Sequence, residues 1–142
     1  MAKPLKGFSI HDGNISAEIH LDRVNANIMR AQFALDSQVM TDMVPYMPHN
    51  TGTFVNNTRS RSAATAGTGL VCAAAPPMGR FLYEGKVMVD PVTNSPWARK
   101  GAKKIVTERP LNYSNPQAVP HWFEKAKDEH LKEWVQVVAD NV

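Results

Sequence analysis

This chain has one cysteine, no apolar run of membrane-spanning length, and a net charge of only +3 over 142 residues. Each shortage excludes something. The lone Cys72 cannot close an internal disulfide. Its setting, Leu70-Val-Cys-Ala-Ala-Ala75, reads as a buried strand in which the thiol is a small apolar packing group. Without about 20 consecutive apolar residues, no membrane span is expected. The segment Met1-Ala-Lys-Pro-Leu-Lys-Gly7 is charged with no apolar run behind it, so neither a signal peptide nor an anchor is expected, and the chain reads as soluble and made in the cytoplasm. The triplets beginning at Asn14, Asn56 and Asn112 then carry no glycosylation meaning. A hydrophobic fraction of 43% suffices for one modest core, so residues 1–142 are expected to form one domain without metal or disulfide.

The residues that usually carry chemistry are equally sparse. No two of His11, His20, His49, His121 and His130 are four apart, the spacing that would set two imidazoles on one helical face for a metal. Gly67 and Gly69 are followed by neither a Lys-Ser/Thr pair nor a helix signal, so they make no phosphate loop. Cys72 with His49 lacks an orienting third group and an oxyanion site. No catalytic residue, metal or cofactor is expected, and the chain is predicted not to be an enzyme.

What is present is pattern. Alternating apolar residues flank Asp12-Gly13-Asn14, predicting a hairpin over residues 8–20. Leu21, Val24, Ile28, Ala31, Leu35 and Val39 then recur at helical spacing. A helix is predicted over 21–43, with Asp36 and Asp42 on its outer faces and Pro45 and Pro48 ending it. Residues 57–65 and 69–75, rich in Thr, Ser, Val and Ala, read as two antiparallel strands joined through Ala66-Gly67-Thr68. Met78 to Gly85 reads as one helical turn closed by glycine. Phe123, Ala126, His130, Trp134 and Val137 form the stripe of a second long helix over 120–139, with Pro120 in its first turn.

Between these lies a proline-punctuated segment, 86–119, predicted as an extended loop or a hairpin arm pairing Lys86–Val89 with Lys104–Thr107. Its charge is uneven. Residues 97–109 contain Arg99, Lys100, Lys103, Lys104 and Arg109 against Glu108 alone, a net of +4. Such a patch is either a solvated loop or a binding surface. With Trp97, these five basic residues are the candidate partner-facing or DNA-facing set.

Three segments resemble phage minor capsid and tail-completion proteins. Val44-Pro45-Tyr-Met-Pro48-His-Asn-Thr51-Gly52-Thr-Phe54 resembles the family's turn after an amphipathic helix, with Asn50 where the family usually has an acid. Gly79-Arg80-Phe-Leu-Tyr83-Glu-Gly85 is similar to its central Arg-x-x-Tyr-x-Gly segment. Asn115-Pro116, followed by His121-Trp122-Phe-Glu-Lys-Ala-Lys127 and Trp134, resembles its C-terminal helix. The resemblance implies a small α+β fold, with a long N-terminal helix and a C-terminal helix on a small antiparallel sheet. It implies a virion protein at the head–tail junction, the neck, repeated in a homo-oligomeric ring of about six or twelve copies. Portal-adaptor, neck and tail proteins would be its partners, with the DNA in the channel as a further contact. The family-motif positions are Pro48, Thr51 and Gly52 in the turn, and His121, Trp122 and Trp134 in the helix. A second reading, from the basic segment alone, is a nucleic-acid module binding phosphates without sequence preference.

Overall fold

The computed structural model of the chain describes residues 3–142. It is α+β, with two long helices and two separate two-stranded antiparallel sheets. Strands β1 (Phe8–Asp12) and β2 (Ile15–Ile19) form the first hairpin, with Gly13 at φ +59° in the turn. Phe8 pairs with Ile19 and Ile10 with Ala17. This register puts Phe8, Ile10, Ile15, Ala17 and Ile19 on one face, yet all ten strand residues are exposed. Asn25 holds the preceding segment to the body, accepting from the Leu5 amide and donating to its carbonyl at 2.8 and 2.9 Å.

Helix α1 (Asp22–Met43) and the C-terminal helix α4 (Trp122–Asn141) pack on each other and build the core. Val39, Met40 and Met43 of α1 meet Trp122, Ala126 and Trp134 of α4, with Met47 and Val55 closing one end. Both core indoles have a polar partner, as a buried N–H requires. Trp122 Nε1 donates to the Ala73 carbonyl at 2.8 Å, and Trp134 Nε1 to Asp42 Oδ2 at 2.7 Å. Past Met43 the chain tightens into a 3-10 turn at Val44–Tyr46, with Pro45 where its missing N–H does no harm. Pro120 lies two residues before α4, outside its first turn, because the helix starts only after His121 in the left-handed region at φ +53°.

The largest departure from the sequence reading is residues 57–75, which hold no strand. Thr53–Thr65 is a helix, α2, and 66–75 is irregular. The composition is β-like, but the buried positions are Val55, Thr58 and Ser62, a stripe that is mostly hydroxyl. These hydroxyls hold the returning chain. Thr65 Oγ1 donates to the Leu70 carbonyl at 2.8 Å. Ser62 Oγ accepts from the Cys72 amide at 3.0 Å and donates to its carbonyl at 2.9 Å. Thr58 Oγ1 accepts from the Ala75 amide at 3.1 Å. Thr58, Ser62 and Thr65 thus meet Ala75, Cys72 and Leu70 in reverse order, so the returning chain runs back along α2. Cys72 is therefore half-buried beside a helix, not the centre of a strand. Replacing Ser62 by Ala should cost about 1–3 kcal/mol, because the half-buried amide and carbonyl of Cys72 both lose their partner. Urea denaturation checks this, with exposed Ala63→Ser as the control expected to change stability by less than about 0.5 kcal/mol.

Asp36 also departs from expectation. It lies buried, not on an outer face, and its Oδ2 accepts from the Gly67 and Gly69 amides at 2.9 Å each. Helix α3 (Gly79–Glu84) ends at Gly85, whose φ of +71° closes it as expected. Strands β3 (Lys86–Val89) and β4 (Ile105–Pro110) pair antiparallel, the second starting one residue after the expected Lys104–Thr107 and running on to Pro110, with a register irregularity between Lys86 and Met88.

Candidate interaction surfaces

The arm is braced from inside by a residue that no local pattern singles out. Asp90, at the end of β3, is fully buried. Its carboxylate accepts from the Val92 amide at 2.8 Å, the Arg99 amide at 3.1 Å and Arg99 Nε at 2.9 Å. The Arg99 guanidinium, followed by the loop amides, holds the carboxyl well below the usual carboxylate range. Charge-assisted bonds of this kind fix geometry. The Asp90 amide donates to the Ser95 carbonyl, and the Trp97 amide to Ser95 Oγ at 3.1 Å, so the tip is a folded turn.

The candidate set separates in space. Arg99 is committed to Asp90 through one side of its guanidinium and acts as the loop's clasp. Lys104 Nζ sits 5.9 Å from the centre of the Phe81 ring, a cation–π distance. Lys100, Lys103 and Arg109 are exposed, and among the described residues no ion pair involves them. Trp97 is 87% exposed and Val92 70% exposed, both in the stretch Pro91–Ala98, which contains no charged residue.

The family-motif residues are architectural. Pro48 is buried. Gly52, at φ +83°, and Thr51, whose hydroxyl accepts from the Thr53 amide at 3.4 Å, launch α2. Asn115 stitches that turn to the C-terminal segment, accepting from the His49 amide at 2.9 Å and donating to the Met47 carbonyl at 3.0 Å. The His121 amide donates to the Tyr83 carbonyl at 2.9 Å, and its ring lies edge-on to Tyr83. Tyr83 also meets Trp122 edge-to-face at 4.7 Å and donates its hydroxyl to Glu124. Burial, then Glu124, pushes the Tyr83 phenol up, while the phenol's hydrogen bond draws the Glu124 carboxyl down.

Together the turn, the chain 75–78, Leu82 and residues 112–114 enclose an open cleft of about 480 Å³. Its walls are apolar, including Phe54, Pro76, Pro77, Met78 and Tyr113, with Asn50, Asn57 and Asn112 at hand for hydrogen bonding. Among the described residues, no charged side chain lines it. The Tyr113 hydroxyl is tied to the Leu82 carbonyl at 2.6 Å, which fixes one wall.

Asp42, His130 and Glu133 bring three potential ligand atoms within 4.8 Å of one another. Their contacts already account for them: Asp42 accepts from Trp134 and Gln38, and His130 Nδ1 lies 2.6 Å from Glu133. The Glu133 hydrogen bond raises the His130 pKa against the effect of burial, with Asp42 adding to it. A raised folded-state pKa means that the imidazolium's stabilisation is complete below the ordinary histidine value near 6.5 and fades as pH rises through the folded value. Thermal stability should therefore fall as pH rises above about 6.5. His130→Gln should flatten that slope in a melting series.

No helix among the described residues is long and apolar enough to cross a membrane. A family model described as minor capsid protein matches residues 14–141. Comparison with curated proteins and with solved structures gives no match.

Proposed function

The chain belongs to the minor capsid protein family, structural proteins of bacteriophage virions, and on that premise we propose that it is a connector at the head–tail junction. In this reading it forms one copy of a homo-oligomeric ring that joins the DNA-filled head to the tail and carries out no catalysis. The braced arm is the observation that carries it. A buried Asp90–Arg99 clasp holds an apolar tip, with Trp97 almost wholly in solvent, on a two-stranded stalk. Aromatic side chains dominate the centres of protein interfaces. The shared sequence features with tail-completion proteins favour the neck over other places in the particle. Lys100 and Lys103 then lie beside the tip, Lys104 against Phe81 and Arg109 at the base of the stalk, available to acidic partner surfaces or to phosphates of the DNA in the channel.

The experiment is a phage in which residues 90–104 are replaced by Asn-Gly. A two-residue turn of that type closes the Val89–Ile105 pair into a tight hairpin. The shortened protein should fold, about 1–2 kcal/mol less stable for the uncovering of Val89. Its lysates should hold filled or leaking heads and free tails that do not join. Normal infectious yield would remove the arm from the connection.

A nucleic-acid module remains the second reading, favoured only by the exposed lysines. It requires affinity for duplex DNA that falls steeply with salt in the isolated protein.

A further inference from the structure

We propose that the uncharged cleft is the receptor for the Trp97 tip of a second copy of this chain. The inference deepens the connector reading and rests on it only for the ring's place in the particle.

Two features match, each visible without the other. The tip is a donor in search of a site. Pro91–Ala98 is an eight-residue stretch without charge, because the acid before it and the arginine after it neutralise each other inside the loop. Its two large apolar side chains, Val92 and Trp97, point into solvent. Prolines 91 and 96 and the Asp90 bonds hold the tip in one shape, so little chain freedom is lost when it docks. The cleft is an acceptor of the same character. At about 480 Å³ it is large enough for an indole, a side chain that buries about 150–250 Å² when covered. Phe54, Pro76, Pro77, Met78 and Tyr113 offer flat apolar walls, and the amides of Asn57 and Asn112 suit an indole N–H and the peptide groups beside it. A charged partner peptide would enter such a cleft at a desolvation cost with nothing to offset it. The neutral tip has no such cost, which is the complementarity that selects this occupant.

Within one copy Trp97 is 87% exposed, so it does not fill its own cleft. A tip and a cleft are different patches, and a contact between different patches of identical chains is head-to-tail. Repeated, it closes into a ring if the rotation allows and otherwise continues as a filament. The exposed apolar face of the β1–β2 hairpin is the competing occupant, with Ile15 as its most exposed residue.

The test is a mixing experiment on the full chain by sedimentation velocity, from micromolar to millimolar concentration. Wild type should associate with concentration. Trp97→Ala keeps the cleft and loses the tip; Met78→Glu keeps the tip and puts a charge in the cleft. Each variant alone should associate at least about thirtyfold more weakly, the usual effect of losing a central aromatic anchor. Mixed together, they should form a one-to-one dimer and nothing larger, because a single tip–cleft pair survives. A monomeric wild type at every concentration overturns the proposal, as does self-association of either variant at wild-type strength. Loss of association in Ile15→Ser with Trp97→Ala unaffected also overturns it, in favour of the hairpin. The connector reading fails separately: rings that depend on Trp97 but lie away from the junction in the virion would sink that reading and leave the tip–cleft contact standing.

Discussion

Trp122→Ala should leave the protein unfolded, or close to it, at physiological temperature. Trp122 is completely buried where α1, α4 and the chain 71–75 meet, with Phe54 and Tyr83 set edge-on against it. Truncating a buried Trp costs about 3–5 kcal/mol through lost transfer energy and the cavity left behind. The Ala73 carbonyl also loses its partner, adding about 1 kcal/mol or more. A domain of this size has only about 5–15 kcal/mol to lose. Trp122→Phe should retain much of the packing and forfeit mainly the hydrogen bond. Trp97→Ala, by contrast, should change the unfolding free energy by less than about 0.5 kcal/mol, since its side chain is in solvent. A Trp122→Ala protein melting within a few degrees of wild type would show that the core is held elsewhere.

Gly85→Ala should cost about 2–5 kcal/mol, from two sources that can be separated. The backbone there has φ +71°, a conformation in which a Cβ is strained by roughly 1–2 kcal/mol. In addition, a Cβ would stand 2.6 Å from Pro120 Cβ and 3.1 Å from the Tyr113 hydroxyl, so the chain before α4 would have to shift. Gly85 also accepts the Leu111 amide at 2.9 Å, so a shift would disturb the base of the arm. Gly13→Ala supplies the comparison. Its φ is +59° with no atom within 4 Å of the added Cβ, so it should show the strain alone. Equal losses at the two sites would mean that the contact with Pro120 gives way freely.

Much of this fold was legible in the sequence where the signal is local. The apolar spacing over 21–43 and around Trp134 marks α1 and α4, and Asp12-Gly13 and the flanks of the arm mark two hairpins. Gly85 announced the end of α3. Residues 57–75 carry no local helix signal because the stripe of α2 is made of Thr58 and Ser62, whose partners are peptides ten and seventeen residues away. Local propensity favours a strand there; the tertiary bonds of those hydroxyls favour a helix. Asp36 and Asp90 were invisible for the same reason. A carboxylate looks like solvent-facing charge until the chain returns with two glycine amides or an arginine. The cleft is assembled from segments spread between residues 48 and 114, so no window of sequence contains it. The basic cluster was legible as composition, but that Arg99 serves as the clasp of the loop depends on geometry alone.

The most direct measurement of the connector claim is a reconstruction of the intact particle, with this chain carrying a small tag at its exposed Val142 end. The account predicts tag density in a symmetric ring at the junction of head and tail, with the arm tips reaching neighbouring copies. Tag density spread over the head surface or along the tail tube, with none at the junction, would contradict it.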